Sequence, residues 1–296
     1  MMGNKIADIH WIEKSGEVDR LLKADKVTSM SLHGGLEAEV MQLILDDTQV
    51  VMKTWNKQSR PDVAKQYRLL QHLHRHGVPV SKPLGWGTDD EGHAVLLTSF
   101  DGTPLSKLNK AVIIRLAHMI SAVHQYPVER LDSDLLGRYD FMDYFYPGIR
   151  RHPDLHSLLQ ELVAAAGIRQ NRLIHGDVNL GNVLEQQGKL TIVDWTNGQL
   201  GDPRYDMAWA IALLHIYVGP RYGTMLRAAC LSQSGYTADE LELFEAIACI
   251  RWLLLHRLAY VPSSKGVQSK VIGFVESNAH FRRYEALQLL QGSAED

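Results

Sequence analysis

The spacing of apolar residues changes about a third of the way along the chain. In the first hundred residues, apolar positions sit in short runs rich in β-branched side chains. Residues 27–32, 39–45 and 49–55 have strand composition, and Asp46-Asp47 supplies a turn between the last two. A helical period follows, with Val63, Tyr67, Leu70 and His74 on one face. Ser59 is placed to cap this helix, Pro61 suits its first turn, and Gly77 ends it with Pro79 just beyond. Two more strands, near residues 83–87 and 94–100, complete a small sheet carrying one helix.

From about Leu105 the period becomes helical. Residues 112–124 and 154–166 are amphipathic, and a long helical stretch begins at Ala238. Thr237 and Glu240 have the spacing of a capping box, in which each side chain satisfies the other's orphan amide. Between these helices lies a polar stretch, residues 175–206. Polar groups gathered between packed elements are where chemistry is expected. The pattern predicts an α+β chain with an N-terminal antiparallel sheet and a larger, mainly helical C-terminal part. The expected division is 1–103 and 104–296.

Composition narrows the function classes. At 296 residues the chain is long enough for two modest cores, and 45% hydrophobic with 22% charged residues is globular rather than disordered. A net charge of −3 offers no polyelectrolyte footprint, so a nucleic-acid polymer is not an expected partner. Cys230 and Cys249 cannot form a disulfide framework, and no cysteine–histidine spacing suggests zinc. The first twenty residues lack an uninterrupted apolar core, and no later run approaches the ~20 residues of a membrane span. The expectation is a cytoplasmic protein without a membrane partner; the composition leaves the oligomeric state open.

The candidate chemistry lies in residues 175–194, HGDVNLGNVLEQQGKLTIVD. Residues 183–185 and 190–193 form a plausible hairpin around Gln187-Gly188. Asn182 and Asp194 lie six residues either side of Gly188, so a symmetric turn would set them facing each other on one side of the sheet. An amide oxygen and a carboxylate there suit magnesium, a hard cation that takes one or two carboxylates plus phosphate oxygens. Asp177 precedes Asn182 by five residues, near enough to orient an attacking hydroxyl.

His-Gly-Asp, four residues, Asn, a short hairpin and then Val-Asp-Trp resembles the catalytic and metal loops of the aminoglycoside phosphotransferase and choline kinase superfamily. Gly201-Asp202-Pro203 followed by Asp206 extends the likeness. The resemblance implies a protein-kinase-like two-lobed fold and an ATP- and magnesium-dependent transfer of phosphate to a hydroxyl of a small molecule. The acceptor would be an antibiotic, as in antibiotic resistance, or a metabolite such as an amino alcohol or sugar. It also implies roles. Asp177 would accept the hydroxyl proton, Asn182 and Asp194 would bind the metal, and Lys53 would hold the α- and β-phosphates. Gly34 and Gly35 would form a loop over the phosphates, Thr98 to Phe100 would lie in a hinge near 98–102 and offer backbone groups to adenine, and Asp206 would anchor the catalytic loop. His175 is better read as a loop anchor than as an acid or base.

Two positions depart from that pattern. Gln66 stands where a helix glutamate would pair with Lys53, with Asp62 one turn earlier as a substitute, and Glu37 places a carboxylate in the Gly-Gly loop. These departures motivate a rival reading, a nucleotide-binding module without transfer activity, although Asp177, Asn182 and Asp194 are all present. A protein kinase ranks lower, because no activation segment ending in Ala-Pro-Glu is present.

Other features have plainer explanations. His72 and His76 have metal-ligand spacing but lack the glutamate of a zinc motif, so a solvated helix face is the better reading. The aromatic group Tyr139, Phe141, Tyr144, Phe145 and Tyr146 reads as core before it reads as a substrate pocket. Residues 104–296 hold 19 Lys and Arg against 20 Asp and Glu, a balance less suited to a polycationic acceptor than an acidic surface would be.

Overall fold

A computed structural model describes residues 5–32, 38–56, 59, 61–132 and 134–291. In chain order the elements are β1 (His10–Lys14), α1 (Gly16–Leu21), β2 (Val27–Leu32), β3 (Ala38–Leu45), β4 (Thr48–Trp55), α2 (Val63–Arg75), β5 (Pro83–Thr88), β6 (Ala94–Ser99) and β7 (Thr103–Pro104). There follow α3 (Lys110–His124), α4 (Phe141–Phe145), α5 (Pro153–Ala166), β8 (Arg172–Ile174), β9 (Val183–Gln186), β10 (Lys189–Ile192) and β11 (Gln199–Gly201). The chain ends with α6 (Pro203–Leu213), α7 (Pro220–Gln233), α8 (Ala238–Arg257), α9 (Lys265–Ser277) and α10 (Ala286–Gln291). It divides into two compact units: residues 1–103 with 184–196, and 104–183 with 197–296. The expected division at 103/104 coincides with one junction. Residues 184–196, expected with the second part, group with the first instead.

The first unit is built on an antiparallel sheet in the order β1–β5–β6–β4–β3–β2. Strand alternation sorts its two faces. Met41, Leu43, Val50, Met52, Val95 and Leu97 are buried in one core cluster together with Val18 and Leu21 of α1. Lys53, next to Met52 on the central strand β4, points to the opposite face. The unit carries a strand and a helix that the apolar pattern did not reveal, β1 and α1. β1 is a short edge strand, HWIEK, whose register is broken between Trp11 and Glu13, so no clean alternation survives in its sequence.

α2 starts later than its sequence suggests. Asp62, not Ser59, is the cap, accepting from the Lys65 amide at 2.9 Å, and Pro61 lies outside the helix. Ser59 instead closes a local turn with Asn56.

The second unit is helical. α6 is buried along its whole length, with Arg204 and Asp206 paired inside, and it packs against α7 and α8. The Thr237–Glu240 capping box forms at the start of α8. The helical stretch from Ala238 stops at Arg257 rather than running on, and Ala259 adopts a left-handed φ of 58° just beyond it. Among the described residues, no helix is long and apolar enough to cross a membrane.

Candidate active site

In the second unit, β8 pairs antiparallel with β11, which leads directly into α6. The loop leaving β8 is therefore delivered beside the first turns of α6. Asp206 is buried there, 1% exposed, and its carboxylate accepts three hydrogen bonds. The amides of His175 and Gly176 donate at 2.9 and 2.8 Å, and His124 Nε2 lies at 3.0 Å. Burial alone would raise the Asp206 pKa; hydrogen bonding and charge from His124, with the His175 amide, hold it below the usual range. Gly176 has a left-handed φ of 79°, and a Cβ there would meet the Asn197 carbonyl oxygen at 2.7 Å, so only glycine fits this turn.

The turn presents Asp177, half-buried, with its carboxylate fixed from both sides. Trp209 Nε1 donates to Oδ1 at 2.8 Å. On the other side, the side-chain amides of Asn179 and Asn182 lie 3.1 and 3.3 Å from Oδ2. Asn182 also donates to the Asp177 carbonyl at 3.0 Å. With its NH₂ group turned to Asp177, the Asn182 amide presents its carbonyl oxygen elsewhere. Asn182 itself sits in a single 3₁₀ turn, held by the Asn179 side chain on its backbone amide at 3.1 Å.

Arg251 of α8 closes the far side. Its guanidinium lies over the rings of Trp209 and Phe145, with distances of 4.2 and 5.0 Å to the centroids, and donates to the Gly176 carbonyl at 2.9 Å. Trp209 and Arg251 were not singled out from the sequence. One signal existed: Trp209 lies three residues after Asp206, one turn along the same helix face.

Gly201-Asp202-Pro203-Arg204 is structural. Asp202 caps α6 through the Arg204 amide at 3.0 Å and pairs with the Arg204 guanidinium at 2.7 Å. Arg204 in turn reaches Glu240 at 3.2 Å.

In the first unit, Lys53 Nζ lies 2.9 Å from Asp194 Oδ1 and 4.8 Å from the centroid of the Trp55 ring. Thr196 Oγ1 also donates to Asp194 Oδ1, at 2.8 Å. Asp194 is exposed and left-handed, φ 63°, in the turn that follows β10. The hairpin is not symmetric about Gly188. Gln187 and Gly188 both have positive φ, 50° and 82°, the signature of a two-residue turn. Its centre falls between them, so the equal count to Asn182 and Asp194 fails by one residue.

Among the described residues, no hydrogen bond or ion pair joins Lys53 to Gln66 or Asp62. Gln66 lies half-buried on α2, and the Asp62 carboxylate is spent on capping that helix. Thr98 pairs with Val51 and Pro83 near the end of β6, and Phe100 follows the strand. Gly34, Gly35 and Glu37 lie outside the described residues.

The aromatic group splits in two. Phe141, Phe145 and Tyr146 are core, whereas Tyr139 is 44% exposed and stacked on Tyr144 at 4.8 Å. The rings of His72 and His76 stack at 4.4 Å, and among the described residues no cluster of three His, Cys, Asp or Glu is set to hold a metal.

A β-sheet unit with a lysine on its central strand, and a helical unit presenting an aspartate on an anchored loop, define a kinase-like phosphotransferase fold. Residues 30–244 match the phosphotransferase enzyme family, and the chain belongs to that family. Solved structures share the fold. A thermostable mutant of aminoglycoside phosphotransferase APH(4)-Ia, in ternary complex with AMP-PNP and hygromycin B, superposes with TM-score 0.66 at 16% identity, covering 88% of this chain and 98% of that one. Amicoumacin kinase hAmiN, in complex with AMP-PNP, Ca2+ and Ami, gives TM-score 0.63 at 17% identity, with 90% and 92% covered. A Plasmodium vivax ethanolamine kinase gives 0.62 at 12%, with 89% and 85% covered. No curated protein sequence matches the chain significantly.

Proposed function

We propose that this phosphotransferase transfers the γ-phosphoryl group of ATP to a hydroxyl of a small molecule in the cytoplasm. The observation that carries the reading is the fixed carboxylate of Asp177, held on a loop whose backbone is tied to buried Asp206. In the step proposed, the acceptor oxygen bonds to the γ-phosphorus as the bond to the ADP oxygen breaks. The hydroxyl proton passes to Asp177. Phosphoryl transfer of this kind needs positioning and charge neutralisation more than covalent help.

Lys53 would neutralise the α- and β-phosphates, with Gly34 and Gly35 over the phosphates and the backbone from Thr98 to Phe100 meeting adenine. Asn182 and Asp194 would hold Mg2+. The donor chemistry fits that ion, since an amide oxygen and a carboxylate are the hard oxygen ligands it takes. When bound, magnesium supplies charge neutralisation to the phosphate oxygens.

The structures named above are a hygromycin B-bound aminoglycoside phosphotransferase, an amicoumacin kinase and an ethanolamine kinase, which supports an acceptor among antibiotics, amino alcohols or sugars. The near balance of charge over residues 104–296 favours an acceptor that is not a polycation.

The test is ADP release with ATP and magnesium across a panel of antibiotics, amino alcohols, sugars and nucleosides, with Asp177→Ala in parallel. Acceptor-dependent ADP that disappears in the variant is expected. ATP binding without any transfer across the panel would favour a nucleotide-binding module instead, and transfer that survives Asp177→Ala intact would sink the mechanism.

A further inference from the structure

Helix α6 grips the catalytic loop at two points on one face. Asp206 takes the backbone amides of His175 and Gly176, and Trp209, three residues on, donates its indole N–H to the Asp177 carboxylate. The loop is gripped a third time from α8, where Arg251 donates to the Gly176 carbonyl and lies over the Trp209 ring. Trp209 is 3% exposed, and an indole N–H can only donate. Its one polar atom therefore has a single use in this site, an acceptor on Asp177.

We propose that Trp209, braced by Arg251, is the positioning residue that sets the rotamer of Asp177 for phosphoryl transfer, an inference that rests on the kinase reading above. The two oxygens of Asp177 are held differently. Oδ2 faces two side-chain amides at 3.1 and 3.3 Å, whereas Oδ1 receives one shorter bond from Trp209 at 2.8 Å. A carboxylate oxygen accepts two hydrogen bonds, so Oδ1 keeps one lone pair for the acceptor hydroxyl while its direction is fixed by the indole. Removing the indole N–H frees the carboxylate to rotate, and misplacing a reacting group by about 1 Å costs on the order of a hundredfold in rate.

Arg251 matters because the indole itself must not tilt. Its guanidinium lies over both the Trp209 and Phe145 rings, and it also reaches the Tyr205 hydroxyl at 3.3 Å. A lysine cannot reproduce this, lacking the planar fork that stacks on a ring while donating to a carbonyl.

The contact is tested first by NMR of the full chain labelled with ¹⁵N-tryptophan, with the Trp209 indole cross-peak assigned from Trp209→Phe. In Asp177→Asn the Trp209 indole proton is expected to move upfield and to exchange faster with solvent, because its charged acceptor is gone. An unmoved cross-peak would overturn the proposal. The kinetic arm uses Mg·ATP hydrolysis with water as acceptor. Trp209→Phe is expected to lower kcat tenfold or more, with KM for Mg·ATP within about twofold of wild type; an unchanged kcat would also overturn it. If Trp209→Phe does not fold, Arg251→Met carries the kinetic arm and should show the same split. An Asp177→Ala variant with full hydrolysis and transfer, alongside an NMR shift as expected, would mark failure of the kinase reading and leave the Trp209–Asp177 contact standing.

Discussion

Lys53 Nζ and Asp194 Oδ1 lie 2.9 Å apart, a bond between side chains 141 residues apart in sequence. The lysine comes from the central strand of the sheet and the aspartate from the turn after β10, and both belong to the first unit. The lysine thus has its counter-charge in Asp194 rather than on α2, where sequence reasoning looked for it.

That pair contributes little to stability. Its side chains are 22% and 43% exposed, and ion pairs so open to water contribute at most about 1 kcal/mol. Lys53→Met and Asp194→Asn should therefore shift urea unfolding by less than about 1 kcal/mol. Asparagine also tolerates the left-handed backbone at position 194. Phosphoryl transfer should fall by about a hundredfold or more in each, as it does when one charge-stabilising group is lost from an active site. A loss of activity that tracks a loss of stability would identify the pair as a structural bridge.

Gln66→Glu tests whether α2 tunes Lys53. Since the lysine is already paired with Asp194, the added carboxylate should change KM for ATP and kcat by less than about threefold. A gain beyond tenfold in either would show that the α2 position governs Lys53 when nucleotide is bound.

Asp206 should report on acid stability. Its native pKa is lowered, so the unfolded carboxyl takes up a proton first as pH falls. Its contribution is complete above the unfolded value of about 4 and is lost as pH drops through the depressed native one. Asp206→Ala leaves His124 and two loop amides without their acceptor and should cost about 3–5 kcal/mol near pH 7, read from urea midpoints. The difference from wild type should shrink toward pH 3; a constant difference across that range would contradict the assignment.

Glu245 should act in the opposite sense. Burial pushes its carboxyl up to about 7, opposed by Arg227 at 3.0 Å and reinforced by Glu242. A raised native pKa means the folded state holds the proton more tightly. The stabilisation is complete below about pH 4.5 and is lost as pH rises through about 7. The loss amounts to roughly 3 kcal/mol across that window. Glu245→Gln, neutral at every pH, should match wild type near pH 4.5 and exceed it in stability at pH 8. Equal unfolding midpoints at pH 8 would refute the shift.

Several parts of the fold were legible because they depend on neighbours in sequence. Strand composition over 39–45 and 49–55, the capping box at Thr237 and Glu240, and the Gln187-Gly188 turn are local, and all three are present. The start of α2 was misjudged because Ser59 and Asp62 are both competent caps, and which one captures an amide depends on the path of the chain through Pro61. β1 was missed because an edge strand with a register break has no period to read.

The order of Lys53, Asp177, Asn182, Asp194 and Asp206 was determined by the sequence alone, and with it the family and the choice of residues to question. Tertiary structure decided what holds those residues. The partner of Lys53 is Asp194, the anchor of the loop after β8 is Asp206 with His124, and the clamp on Asp177 is Trp209 backed by Arg251. Motif spacing carries information over a few residues, because backbone geometry links near neighbours directly. Side chains 30 to 140 residues apart meet only when the tertiary packing of their own unit is complete, and no local pattern encodes which of many similar donors will arrive.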